Sequence, residues 1–280
     1  MTEVLSLGYS PCPNDTFIFF ALSQGLIDTG RTRFEIHLAD VEELNGKASK
    51  CALDVTKVSM SVLPNVQRHY LLLTAGGAMG RGCGPLVVAR KKFSTQDFRK
   101  ATLAVPGKMT TAFLLLQLHG GHGGTIVEMP FDQIMPAVAA GQVDAGLIIH
   151  EGRFTYPSLG LQLILDLGSW WEDKTGLPLP LGGIVMKRSF GYAAAQRVEQ
   201  LIRQSIRYAH THIDEAWPYI RSLAQEMETG VIRRHIEMFV NEFSMDFGNE
   251  GKEAIRVLLE ASARQQGIDP RIDSLWGNWR

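Results

Sequence analysis

The chain has 280 residues, 45% hydrophobic and 20% charged, with a formal net charge of −1. That is ordinary globular composition, long enough for one or two lobes, and it lacks the basic excess of a nucleic-acid footprint. No apolar run reaches the ~20 residues a membrane-spanning helix needs, and the amino terminus carries no secretion signal pattern, so a cytoplasmic location is expected, with no nucleic-acid or membrane partner.

Residues 4–8 read as a short apolar strand. Ser10-Pro11-Cys12-Pro13-Asn14-Asp15 follows, a turn dense in breakers and helix caps. Residues 16–22 are then a buried helix that stops near Gly25. A strand over 34–38, a helix over 41–50 and a strand over 54–58 come next. Ser59-Met60-Ser61 sits where that strand turns into a helix. The glycine-rich stretch 76–84 leads into a strand over 86–89. A phosphate loop would lead into a helix and carry the Walker lysine and hydroxyl. This stretch does neither, so it is read as a flexible connection or a place of close backbone packing.

The pattern restarts after Lys100. A strand over 102–105 meets the turn Pro106-Gly107-Lys108, and Thr110-Thr111 open a helix over 112–118. A helix over 131–140 is closed by Gly141, and an apolar strand over 143–149 ends on His150-Glu151. Leu177-Pro178-Leu179-Pro180-Leu181 reads as an extended crossing. From about Tyr192 the chain is mostly helical, with apolar residues near helical spacing in 197–210 and 231–241. Two successive strand–turn–helix sets imply an α/β protein of two lobes, each a mostly parallel sheet flanked by helices. Residues 1–96 with 187–280 are expected to form the larger lobe, and residues 97–186 the smaller.

In such sheets ligands collect at the carboxyl ends of strands. Three of these points combine a strand end, small polar side chains and a helix start: residues 10–15, 57–61 and 107–112. First-turn N–H groups and the helix dipole suit a small anion there, and Lys57 adds a full charge. Each motif alone is also what a plain helix cap requires. His150 ends an apolar strand beside the expected cleft and is the side chain most easily tuned for proton exchange near neutral pH. A packed histidine would occupy the same place.

His119, His122, His210 and His212 lie at helix ends with no carboxylate cluster to complete a metal set. Cys12 lies in a candidate loop without a visible base. Cys12, Cys51 and Cys83, odd in number and widely spaced, fit neither a disulfide framework nor a zinc site. Trp170-Trp171 could stack on a planar ligand or pack a hinge.

The motifs Gly8-Tyr9-Ser10-Pro11-Cys12-Pro13-Asn14-Asp15-Thr16-Phe17, Thr56-Lys57-Val58-Ser59, Val105-Pro106-Gly107-Lys108-Met109-Thr110-Thr111-Ala112 and Ala145-Gly146-Leu147-Ile148-Ile149-His150-Glu151 occur in one order with the glycine-rich block. In this combination the chain resembles the 1,4-dihydroxy-6-naphthoate synthases of the futalosine route to menaquinone. The resemblance implies a type 2 periplasmic-binding-protein fold with two interlobe crossings. It implies cleavage of cyclic dehypoxanthinyl futalosine to 1,4-dihydroxy-6-naphthoate and a sugar-derived fragment, with no metal or redox cofactor. It also implies His150 as the base, with substrate contacts at Lys57, Val58, Ser59, Thr111 and Ala112. Asn14 is a further candidate for the sugar part. The alternatives are a non-catalytic binding protein for an aromatic carboxylate, and a chorismate dehydratase.

Overall fold

The computed structural model describes residues 3–225, 228–266 and 275–276. The strands are β1 (Glu3–Tyr9), β2 (Thr32–Leu38), β3 (Val55–Ser59), β4 (Tyr70–Leu72), β5 (Ala78–Gly80), β6 (Leu86–Ala89), β7 (Leu103–Val105), β8 (Ile126–Glu128), β9 (Ala145–Ile148), β10 (Gln162–Asp166) and β11 (Leu179–Lys187). The helices of the first half are α1 (Pro13–Ser23), α2 (Val41–Ser49), α3 (Leu63–Val66), α4 (Thr95–Lys100), α5 (Thr111–His119) and α6 (Phe131–Ala139). Those of the second half are α7 (Gly152–Thr155), α8 (Leu167–Thr175), α9 (Tyr192–Thr211), α10 (Ile213–Leu223), α11 (Thr229–Phe239), α12 (Glu242–Met245) and α13 (Gly248–Gln266).

Local chemistry explains the helix starts. Cys12 is extended, and Pro13 at the first helical position of α1 supplies the fixed φ and lacks an N–H that would go unpaired. Phe17, Ile18, Phe19 and Phe20 are buried all round, because α1 is enclosed by α9, α10 and α11. Asp40 caps α2 by accepting from the Glu42 and Glu43 N–H groups at 2.8 and 3.0 Å.

Two sheets result. One has the order β2-β1-β3-β11-β4, with β5 also on β11; the other has the order β10-β6-β9-β7-β8. Neither is mostly parallel, as the strand–helix alternation suggested. β1 runs parallel to β2 and β3, but β11 runs against β3, β4 and β5. β7 runs parallel to β8 and β9, but β6 runs against β9 and β10. The parallel pairs come from local strand–helix–strand units. β6 and β11 follow the two crossings, re-enter from the far side and pair in the opposite sense. Strand pairing changes sheet between β5 and β6 and again between β10 and β11, whereas the expected junctions lay at 97 and 186. Which sheet claims a short apolar strand such as Leu86–Ala89 depends on distant partners, not on its own pattern.

The glycine-rich stretch is a close approach. A Cβ on Gly84 would lie 2.2 Å from the Gly168 Cα and 2.3 Å from its nitrogen. Arg153 pins the same place, donating to the Gly84 carbonyl at 2.6 Å and to Asp166 Oδ2 at 2.8 Å. Gly84→Ala is therefore expected to destabilise the fold by about 1–3 kcal/mol. Urea unfolding measures this, and an unchanged midpoint would show that the crossing can shift. Among the described residues no helix is long and apolar enough to cross a membrane.

Candidate active site

Between the two sheets lies a cavity lined from both of them. Its first wall begins at the end of β1 and the start of α1. Asp15 and Lys57 are both buried there and form an ion pair. Asp15 Oδ2 accepts from the Ser10 hydroxyl at 2.8 Å and the Ser10 N–H at 3.2 Å, and Oδ1 accepts from Asn14 Nδ2 at 2.9 Å. Lys57, only 5% exposed, is thus held at the cavity by a carboxylate that is itself fully hydrogen-bonded. Ser59 lies two residues on, on the same face. Its N–H donates to Asn45 Oδ1 at 2.8 Å, and Asn45 Nδ2 donates to the Ser59 hydroxyl at 3.0 Å.

Val58, expected beside the substrate, does not line the cavity. Side chains alternate across β3, so Val58 points into the hydrophobic core while Lys57 and Ser59 face the cavity.

The facing wall is the start of α5. Thr110 is its cap, with its hydroxyl accepting from the Phe113 N–H at 3.2 Å and donating to the Gly107 carbonyl at 2.8 Å. Thr111 and Ala112 follow as the first two helical residues, whose N–H groups have no intrahelical acceptor. Both line the cavity. The Thr111 hydroxyl donates to the Leu181 carbonyl at 2.6 Å, so its anion-binding capacity lies in its backbone. Met109 ties this wall to the first. Its N–H donates to Glu42 Oε1 at 3.1 Å, and its carbonyl accepts from Asn45 and from the Ser61 hydroxyl. Gly107 has φ 140, and a Cβ there would stand 2.3 Å from the Glu42 carboxyl carbon. Gly107→Ala should therefore push Glu42 off Met109 and weaken ligand binding about tenfold. Calorimetric titration reads the change, and an unaltered affinity would show that the bridge does not shape the cavity.

His150 closes the end of the cavity. Its φ of 55 is left-handed, a strained state for a non-glycine residue that clusters at functional sites. The Phe131 ring meets it edge-on at 4.9 Å. Its Nδ1 lies 3.6 Å from Cys12 Sγ. Burial lowers the pKa of His150 to about 4; Asp15 raises it and Lys57 lowers it, and these smaller effects oppose each other. The ring is therefore neutral at physiological pH. Burial, with Glu151 nearby, pushes the Cys12 thiol well up, so it stays protonated.

A second histidine, His235 on α11, also lines the cavity and is 1% exposed. Its Nε2 is 2.9 Å from Asn14 Oδ1, and its ring packs on Phe239 at 4.7 Å and lies 6.2 Å from His150. Nothing in its local sequence sets it apart. The available signal was its place on the apolar stripe of Val231, Ile232, Ile236 and Phe239, where a packed histidine is the ordinary case.

The remaining candidates are elsewhere. His119 packs on Trp170, His122 lies 2.9 Å from the Ala101 carbonyl, His210 packs on Phe17 and His212 stacks on Tyr208. Trp171 is buried and donates to the Pro178 carbonyl at 3.1 Å, beside the second crossing; the hinge-packing role applies. Among the described residues no group of three or more His, Cys, Asp or Glu side chains could hold a metal ion.

The fold and cavity define a two-lobed, periplasmic-binding-protein-like chain. A crystal structure of an Archaeoglobus fulgidus protein shares it with TM-score 0.88 and 35% identity, covering 94% of this chain and 98% of that one. The alkanesulfonate-binding protein SsuA from Xanthomonas axonopodis pv. citri, bound to MOPS, has TM-score 0.70 at 15% identity over 96% of each chain, which shows the fold alone. The family model for menaquinone biosynthesis matches residues 5–264. A 1,4-dihydroxy-6-naphthoate synthase of Thermus thermophilus is 48% identical over 263 residues, 94% of this chain and 95% of the relative. The enzyme of the same name from Streptomyces coelicolor is 46% identical over 275 residues, 96% of each. The chain belongs to the menaquinone biosynthesis family, alongside its 1,4-dihydroxy-6-naphthoate synthases, and its role is that of an enzyme in menaquinone biosynthesis.

Proposed function

We propose that the chain is a carbon–carbon lyase, cytoplasmic like the biosynthetic route it serves. In this reading it cleaves cyclic dehypoxanthinyl futalosine to 1,4-dihydroxy-6-naphthoate and a sugar-derived fragment. The observation that carries it is a neutral, half-buried His150 at the end of a cavity whose opposite walls supply Lys57 and the start of α5. The names of the relatives at 46–48% identity supply the product.

The substrate's carboxylate accepts from the Thr111 and Ala112 N–H groups, where the helix dipole favours negative charge. This leaves the sugar-derived part towards His150. For Nε2 to act as the base, Nδ1 carries the proton and donates it towards Cys12 Sγ. His150 takes a proton from the sugar-derived part, and the bond joining that part to the bicyclic ring breaks. The bonding pair moves through the ring to the ketone oxygen, which then receives the proton from His150. The ring becomes aromatic, the base is regenerated, and electrons balance without an oxidant or reductant. A positioned base supplies roughly 10²–10⁴-fold; orientation and charge stabilisation in the closed cavity supply the rest.

Incubating purified protein with the cyclic substrate should release naphthoate absorbance while leaving chorismate untouched. Binding without product would sink the lyase reading in favour of a binding protein, and chorismate depletion would favour the dehydratase. The same assay gives a pH profile. The acid limb of kcat/KM should fall near pH 4, where His150 protonates, rather than near 6.5. A limb at the ordinary histidine value would mean that His150 is not the desolvated base described.

A further inference from the structure

The neighbours of His235 dictate where its proton sits. Asp15 is an ion-paired carboxylate and only accepts hydrogen bonds. The Asn14 group 2.9 Å from it is therefore the amide NH₂, which leaves Asn14 Oδ1 facing His235. A carbonyl oxygen also only accepts, so His235 Nε2, 2.9 Å away, carries the proton and donates it. Burial, reinforced by His150 and Lys57, holds His235 well below its ordinary pKa, so the ring is neutral and Nδ1 is a bare lone pair.

That nitrogen is buried and has no hydrogen-bond partner among the described residues. Buried polar atoms are nearly always paired, so an unpaired acceptor that lines a ligand cavity calls for a donor from outside the chain. Glu151 Oε2 stands 3.9 Å from it, too far to bond. His235 belongs to a helix packed on α1, whereas Glu151 lies three residues past the end of β9 in the other sheet. Phe239 covers the His235 ring, and His150 lies beside it. A donor at this point is within reach of the base.

We propose that His235 Nδ1 is a substrate-recognition group that accepts a hydrogen bond from a hydroxyl of the sugar-derived part of the substrate. The proposal rests on the lyase reading above and assigns the orientation of the bound molecule. The carboxylate lies at α5, the hydroxyls at His235, and the bond to be broken lies between them beside His150. Asn14 serves as the positioning residue that fixes the tautomer of His235.

The test pairs His235→Phe with substrates that lack one sugar hydroxyl at a time. With the full substrate, kcat/KM should fall roughly tenfold, mostly through KM, as expected for one lost hydrogen bond. With the analogue lacking the recognised hydroxyl, the same substitution should change little. Equal losses on every substrate would reveal a purely structural role and overturn the proposal, as would no loss at all. If the parent protein turns over none of these substrates, the lyase reading fails instead. Should His235→Phe not fold, ¹⁵N-histidine NMR of the parent protein decides. The Nδ1 resonance of His235 should lie in the unprotonated range and move towards hydrogen-bonded values on addition of the cyclic substrate. A protonated or unmoved Nδ1 would overturn the proposal.

Discussion

Replacing His150 by asparagine should lower kcat on the cyclic substrate about 10²–10⁴-fold with little change in KM, because only the proton-transfer step loses its base. Asparagine is the informative variant. His150 has φ 55, and asparagine tolerates that left-handed backbone far better than alanine does. Alanine occupies this region less readily than histidine or asparagine, so His150→Ala would add backbone strain and confuse lost chemistry with lost stability. The pH dependence of stability supplies a second readout. In the unfolded chain the histidine titrates near 6.5, and in the folded protein near 4. Between those values the unfolded state binds more protons, so the contribution of neutral His150 is complete above 6.5 and is lost as pH falls towards 4. The asparagine variant should lose less stability across that window. Part of the dependence should remain, since burial lowers the pKa of His235 in the same direction. Urea midpoints from pH 4 to 7 measure this, and turnover near the parent rate would remove His150 from the mechanism.

The predicted elements that survive are those with strong local signals. The breaker- and cap-rich turn 10–15 holds the start of α1, Gly141 closes α6, and the apolar runs of β1, β3, β6, β7 and β9 fall where they were expected. Lys57, Ser59, Thr111, Ala112 and His150 were legible because each lies at a strand end or a helix start, where sheets of this kind gather ligands. Val58 turns its side chain into the core, because side chains alternate along a strand, and only its backbone is left to meet a ligand. β4, β5 and β8 are three residues long, as is β7, but lack the turn and helix start at 106–111 that made β7 legible. The direction of β6 and β11 depends on partners far away in sequence. His235 escaped for the same reason: its meaning comes from Asn14, 221 residues away.

Asp15→Asn is the substitution expected to cost the most stability. It leaves the Lys57 ammonium buried without its counter-charge, and breaking one side of a buried pair costs about 3–5 kcal/mol. Asparagine also brings a second amide against the Ser10 N–H and hydroxyl and against Asn14 Nδ2, which all donate to Asp15 now. At least one of these donors would face an NH₂ group. Lys57→Met, which leaves Asp15 as the uncompensated charge, should cost a similar amount. The double variant Asp15→Leu with Lys57→Met removes both charges and should recover part of the loss, the remainder being the cost of the Ser10 and Asn14 donors that lose their acceptor. The three variants separate stability from function. In Asp15→Asn the unpaired Lys57 faces the cavity, so an anionic ligand supplies the missing charge. Added naphthoate should raise the melting temperature of this variant more than that of the parent. In the double variant the cavity wall has no cation, and naphthoate should stabilise it less than the parent. Equal ligand-induced shifts in all three proteins would mean that Lys57 does not meet the anion, and that the start of α5 holds the carboxylate alone.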